Sequence, residues 1–331
     1  MTIGLAILAF FLTFGCVWIF RRAVTENSRL LDIPNERSSH TVPVTRGAGI
    51  AIVFSVLAIY LAVLGTAANL SYIIGAIAIA IVSFLDDLFS VPLLIRLAIH
   101  IAAAVFFVNC SGSYVELSAW TTVNFGLLAP WITVIFIVWM INAFNFMDGI
   151  DGIAGAQGFG AALGWTILGS LTGSITYSTL GAILLGACSG FLVFNWQPAK
   201  VFMGDVGSTF LGFTFGVFPL IDPVSAAKIA PSALTTTIIF LWLFVFDTAF
   251  TRFWQVFRLT AFWRPHREHL YQQLVHNGAP HGNVAAYFGI CAVFTAIAVN
   301  LAGTSGWIPL AVLLVFAPAG LAAWAWKKRL T

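Results

Sequence analysis

The sequence predicts an all-α polytopic integral membrane protein, and three observations carry that prediction. Of 331 residues, 60% are hydrophobic and 8% charged, and the mean hydropathy is +0.98, a balance that water-soluble domains do not show. Apolar runs of about bilayer length recur along the chain. Lysines and arginines gather in alternate loops, which is how a multi-pass chain marks its cytoplasmic side.

In order, the runs lie near residues 3–20, 47–65, 70–85, 94–110, 125–141, 153–170, 175–194, 207–221, 231–250, 284–302 and 307–326, predicting about eleven transmembrane helices, with ten as the lower count. No basic segment precedes the first run; Arg21 and Arg22 follow it, which predicts a retained span and not a cleaved signal. With the N-terminus outside and the C-terminus cytoplasmic, every lysine and arginine except Lys228 falls on the cytoplasmic side. The pairs Gly186/Gly190 and Gly212/Gly216 predict close helix contacts. The cysteines Cys16, Cys110, Cys188 and Cys291 lack paired spacing and read as small buried residues. With short loops and no repeat, residues 1–331 read as a single transmembrane domain. No block of like charge suggests nucleic acid.

The chemistry sits in the loops, and above all in NAFNFMDGIDG (142–152). It holds two amides (Asn142, Asn145), two acids (Asp148, Asp151) and two glycines between apolar runs. A charge inside lipid costs at least ~2.5–3.5 kcal/mol, so this stretch must face water or a polar cavity. In LDIPNERSSHTVPVTRGAG (31–49), Asp32, Asn35, Arg37, His40 and Arg46 precede glycines that let backbone approach a ligand, although such a loop can simply meet lipid headgroups. In SFLDDLFSVP (83–92), Asp86 and Asp87 are adjacent carboxylates that repel unless a cation or strong hydrogen bonds compensate. Hard oxygens of this kind suit Mg²⁺ or Mn²⁺. In VFMGDVGSTFLG (201–212), Asp205 stands among glycines at a helix mouth, a natural place for an anion and its metal. In RPHREHLYQQL (264–274), Arg264, His266, Arg267 and His269 suit phosphate oxygens, with metal binding by the histidines as the alternative. Asp247, inside the ninth run, is a functional candidate as an intramembrane acid, with pairing to Arg252 as the favoured reading, and His100 reads as a packing residue.

Acids able to hold a divalent metal and bases able to hold phosphates thus share one membrane face, which points to phosphoryl-group chemistry there. An ion-coupled transporter is the rival from another class, but its charges would lie near mid-bilayer and not at run ends.

DIPNERSSH, LDD, NAFNFMDGIDG, FMGDVGS and HREHLYQQL, in that order, resemble the signatures of the polyprenyl-phosphate N-acetylhexosamine-1-phosphate transferases, glycosyltransferase family 4. The resemblance runs from about Asp32 to Leu274. It implies a Mg²⁺-dependent catalytic membrane domain of ten or eleven helices in the bacterial inner membrane. The reaction it implies moves a sugar 1-phosphate from a UDP-N-acetyl sugar to undecaprenyl phosphate, releasing UMP. On that resemblance Asp205 is the metal ligand and Asp86 and Asp87 the essential pair. Asn145, Asp148 and Asp151 form the nucleotide-sugar loop, and His266 and His269 belong to the last loop, at the diphosphate or sugar. Where many members carry a lysine, this chain has Ser38, so Arg46 takes the lipid phosphate in this reading. Many also place a further polar residue after the aspartate pair, where Leu88, Phe89 and Ser90 stand. The RSSH and RPHREHLYQ forms look closer to the subgroup that initiates O-antigen with 6-deoxy N-acetylamino sugars than to the phospho-N-acetylmuramoyl-pentapeptide transferases. Membrane lipid is a partner, and a homodimer is left open.

Overall fold

A computed structural model describes residues 1–24, 28–33, 43–118, 122–222, 224–225, 233–257 and 269–302. Twelve helices carry the described chain: α1 (Thr2–Ala23), α2 (Ile50–Leu64), α3 (Leu70–Phe89), α4 (Leu93–Ser111), α5 (Ala129–Met147), α6 (Ile153–Thr172), α7 (Ile175–Asn195), α8 (Gly204–Val217), α9 (Ala233–Phe240), α10 (Trp242–Phe257), α11 (Leu270–His276) and α12 (His281–Ala302). Two short hairpins complete it, β1 (Leu31–Asp32) with β2 (Val44–Thr45) and β3 (Glu116–Ser118) with β4 (Thr122–Asn124).

The all-α membrane architecture is as the sequence predicts. Eight described helices are long and apolar enough to cross a bilayer, and α9 with α10 makes a ninth candidate. α6 matches the sixth run but is rich in glycine and alanine and buried between α7 and α12. The ninth run differs from a straight span: its two halves meet at 85°. That bend carries Asp247 to the first turn of α11, whose backbone amides it accepts. The eleventh run lies outside the described residues.

Lipid supplies no hydrophobic drive between helices, so close approach of small residues holds them together. α7 packs against α1, α2 and α6, and its Gly186 and Gly190 meet the Ala6 and Phe10 carbonyls so closely that a Cβ at either would overlap them. α5 crosses α8 at Gly212, where a Cβ would lie 2.5 Å from the Met140 carbonyl oxygen. Both predicted glycine pairs therefore lie at helix crossings. α8 is enclosed by α3 and α5 on its flanks and is almost wholly buried. The four cysteines are unpaired; Cys188 is buried, whereas Cys110 is exposed at the end of α4, contrary to the reading of all four as buried.

Candidate active site

The N-terminus of α8 is where the polar loops converge. The first loop and the 201–207 segment interlock through backbone: Phe202 N–H donates to the Thr45 carbonyl (2.7 Å), and Ala48 and Gly49 N–H donate to the Phe202 and Met203 carbonyls (3.1 and 2.9 Å). This crossing needs glycine. Gly204 has φ +73°, and a Cβ there would stand 2.6 Å from Asp87 Oδ2 and 2.8 Å from the Gly47 backbone. A Cβ on Gly49 would lie 2.5 Å from Gly207 Cα.

Successive residues on a helix diverge by about 100°, so Asp86 and Asp87 at the end of α3 point to different partners. Asp87, its side chain fully buried, caps α8: Oδ1 accepts Asp205 N–H (3.0 Å) and Oδ2 accepts Val206 N–H (3.1 Å). A carboxylate there also meets the positive end of the helix dipole. Arg46 then bridges Asp87 Oδ1 (Nε, 2.9 Å) and Asp205 Oδ1 (Nη2, 2.8 Å). Arg96, in the first turn of α4, binds Asp205 Oδ2 through Nη1 (2.8 Å) and also pairs with Asp86. The result is an alternating chain, Asp87–Arg46–Asp205–Arg96–Asp86, with one more negative than positive charge. Burial alone would lower the Arg46 pKa; Asp205 and Asp87 overcome it and hold the pKa above its ordinary value.

The 142–152 stretch, expected as a loop, is the last turns of α5 through Met147 and the turn that follows, and it sits beside this chain. Asn145 Nδ2 donates to Ser208 Oγ on α8 (3.2 Å), while Asn142 Nδ2 turns back to the Val138 carbonyl of its own helix (2.7 Å). Asp148 ends α5, and its carboxylate has no hydrogen-bond or ion-pair partner among the described residues. Burial raises its pKa well above the ordinary carboxylate range, and the charges of Asp205, Asp87 and Asp151 push the same way against Arg46. Asp151 serves differently: Oδ2 accepts Ala199 N–H (3.1 Å), and Oδ1 lies 3.5 Å from His281 Nδ1, tying the turn to the start of α12. Gly152 N–H donates to Asn195 Oδ1 (3.0 Å), and Tyr271 Oη to the Phe146 carbonyl (2.8 Å). A Cβ on Gly149 would overlap that hydroxyl.

The structure thus brings together Asp86, Asp87, Asp205, Arg46, Asn145 and Asp148. His269 joins through Phe146, whose ring it stacks on at 6.3 Å. His40, Arg264, His266 and Arg267, with Asn35, Arg37 and Ser38, lie outside the described residues. The sequence reading passed over Arg96, although a lone arginine one turn into an apolar run, just past LDD, was its signal. It also joined Asp247 to Arg252. The structure instead gives Asp247 to His269 and the α11 amides, and sets the Arg252 guanidinium 4.9 Å over the Phe146 ring. His100 is buried as a packing residue would be, but neither ring nitrogen has a hydrogen-bond partner among the described residues.

No cluster of three acids, histidines or cysteines among the described residues encloses a metal ion. The donor set fits a different arrangement, in which a hard cation takes one or two carboxylates and completes its shell with phosphate and water. Asp148, partly exposed near like charges and unpartnered among the described residues, is a carboxylate that such a cation would relieve, and the Asp205 carboxylate is paired with two arginines on which phosphate oxygens could replace it.

Fold and site define a multi-pass membrane protein with a loop-built charged centre at helix ends, not at mid-span as in a transporter. Known proteins sharpen that class. The glycosyl transferase family 4 signature matches residues 69–222. A probable undecaprenyl-phosphate N-acetylglucosaminyl 1-phosphate transferase of Bacillus subtilis is 27% identical over 86% of this chain and 81% of its own length. The Escherichia coli O157:H7 undecaprenyl-phosphate alpha-N-acetylglucosaminyl 1-phosphate transferase is 25% identical over 95% of this chain and 88% of its own. A phospho-N-acetylmuramoyl-pentapeptide-transferase of Moorella thermoacetica is 36% identical over 37% of this chain and 38% of its own. These similarities support the polyprenyl-phosphate N-acetylhexosamine-1-phosphate transferase family as the one this chain resembles.

Proposed function

We propose that the protein transfers an N-acetylhexosamine 1-phosphate from a UDP-sugar to undecaprenyl phosphate, releasing UMP, at the cytoplasmic face of a bacterial inner membrane. The observation that carries the reading is the Asp87–Arg46–Asp205–Arg96–Asp86 chain with Asp148, unpartnered among the described residues, beside it. The retention of nearly all positive residues on one set of loops supports an outside N-terminus and a cytoplasmic site.

The chemistry follows from charge. A phosphomonoester has its second pKa at about 6, so the lipid phosphate is already a nucleophile at neutral pH. Its obstacle is repulsion from the diphosphate it attacks. Arg46 and Arg96 exchange carboxylate oxygens for phosphate oxygens and screen that repulsion, with Arg264 and Arg267 of the last loop assisting. Mg²⁺, or Mn²⁺, held by Asp205 and Asp148, supplies further charge neutralisation when bound. Asp87 keeps the α8 amides and Arg46 in place; Asp86 does the same for Arg96. Asn142, Asn145, Asp151, His40, His266 and His269 complete the donor site. A lipid phosphate oxygen bonds to the sugar-linked phosphorus while that phosphorus parts from the UMP oxygen, which keeps the electron pair. The sugar–oxygen bond stays intact, so the anomeric configuration is retained.

The RSSH and HREHLYQ forms support a 6-deoxy sugar of the O-antigen type, whereas the full-length relatives' names support N-acetylglucosamine. Purified protein is incubated with undecaprenyl phosphate and a panel of UDP-sugars, and UMP release is scored. One sugar should stand out, and no lipid-dependent UMP from any of them refutes the reading.

A further inference from the structure

Asp247 is fully buried on α10, and each of its oxygens is engaged. Oδ1 lies 3.1 Å from His269 Nδ1 and accepts Leu270 N–H (3.0 Å) and Thr251 Oγ1–H (3.1 Å); Oδ2 accepts Tyr271 N–H (3.2 Å). Two of these donors are the first free amides of α11, so the carboxylate caps that helix. The Thr251 hydroxyl is a contact within α10 itself, and the fourth contact is of another kind. It reaches the residue that precedes the helix, and it reaches that residue's ring.

The ring has little freedom left. One neighbour is Phe146, stacked at 6.3 Å and 25°; another is Tyr271, at 5.9 Å and 26°. Tyr271 is itself fastened to the 142–152 stretch through the Phe146 carbonyl. The ring is therefore referenced to α10, α11 and the stretch of Asp148 together. A carboxylate accepts and cannot donate while ionised, so the nitrogen facing it must carry the proton. In a neutral imidazole the other nitrogen is then the acceptor.

We propose that Asp247 is a positioning residue that fixes His269 as the Nδ1–H tautomer, so that whatever His269 does to the nucleotide sugar it does through Nε2. This rests on the reading that His269 meets the donor substrate. A carboxylate that only capped α11 would have no need of the ring, and its neutral isostere would replace it. Asparagine keeps an oxygen for the Leu270 and Tyr271 amides but presents either a neutral amide oxygen or a competing N–H to the ring.

The test uses full-length protein in detergent, labelled with ¹⁵N-histidine, with His269→Gln assigning the signal among six histidines. In the wild type, the His269 ¹⁵N shifts should show a protonated Nδ1 and an unprotonated Nε2. In Asp247→Asn that preference should be lost. The same variant should lose roughly 10–100-fold in kcat, the range seen when carboxylate partners of metal-bound histidines are removed, with KM for the UDP-sugar within a few-fold. The double variant should be no slower than His269→Gln alone, because the two residues act as one unit. A wild-type shift of the opposite tautomer overturns the proposal, as does an Asp247→Asn enzyme with unchanged kcat and unchanged ¹⁵N shifts. If His269→Gln retains full turnover while the Nδ1–H tautomer is observed, it is the underlying site reading that fails.

Discussion

The two ends of α8 and its 3₁₀ extension to Ile221 treat negative charge in opposite ways. Beyond the far end, Asp222 accepts Ser174 Oγ–H (3.0 Å), Ser225 Oγ–H (2.6 Å) and Ser225 N–H (3.1 Å). Burial would raise its pKa, but those serine donors overcome it and hold it below the ordinary carboxylate value. Around it, Asn69 Nδ2 donates to the Ile221 carbonyl (3.1 Å) and Tyr177 Oη to the Pro219 carbonyl (2.7 Å). The Asp222 carboxylate and the Ile221 and Pro219 carbonyls thus all accept from neutral donors. At the near end three carboxylates share two arginines, and Asp148 is left over with its pKa raised. A group satisfied by neutral donors is finished on folding. A group satisfied by mobile cations, or by none, can change partners when a ligand arrives. The far end is a clasp, and the near end is a site.

The largest effect should come from Asp205, which both arginines share. Asp205→Asn should lower turnover by at least the order of 10²–10³ expected for loss of a preorganised charge contact, while the protein still inserts and runs as a single species on gel filtration. Retained turnover with unchanged Mg²⁺ dependence would move the metal assignment elsewhere. Next comes Gly149→Ala, whose Cβ overlaps Tyr271 Oη. Overpacking of this kind costs about 1–3 kcal/mol, read as a lower melting temperature and reduced turnover. Adding Tyr271→Phe should recover part of both losses; no recovery would mean that the clash is not with the hydroxyl.

At the clasp, Asp222→Ala should cost about 1–2 kcal/mol of stability through the stranded serine donors, with kcat for UMP release changed less than twofold. A large loss of kcat would erase the distinction between the two ends. The smallest effect is in pH. Because the folded-state pKa of Asp148 is raised, its contribution to stability is present below the ordinary carboxylate range and is lost as pH rises through the raised value. Asparagine does not titrate. With divalent metal chelated, Asp148→Asn should therefore melt above the wild type near pH 8, with the gap closing as pH falls toward ~4. A gap that widens toward acid pH would mean Asp148 is ion-paired in the fold.

Legibility differed from residue to residue for physical reasons. Asp86, Asp87, Asp148 and Asp205 stood out because charge is rare in this chain and lipid excludes it, so each acid in an apolar context needed an explanation. The glycine crossings were legible because only small residues let backbones touch in a membrane. Arg96 was not, since a single arginine at a run end looks like any headgroup contact until its partners are known. Asp247 misled for a related reason: Arg252 is near in sequence, but the bend between α9 and α10 brings His269 and the α11 amides, 22–24 residues on, to its carboxylate.

By itself, then, the sequence determined the all-α membrane class, where the long apolar runs and the charged stretches between them lie, and what chemistry those charges suit, because hydropathy and charge are local and additive along the chain. Only the tertiary structure decided who answers whom. That Asp87 caps α8, that Arg46 and Arg96 share Asp205, and that Asp148 is left without a partner among the described residues depend on directions set by helix ends meeting across 40 to 160 residues. Hydrogen bonds and ion pairs are short-ranged and directional, and no run of residues states in advance which distant oxygen will lie within 3 Å.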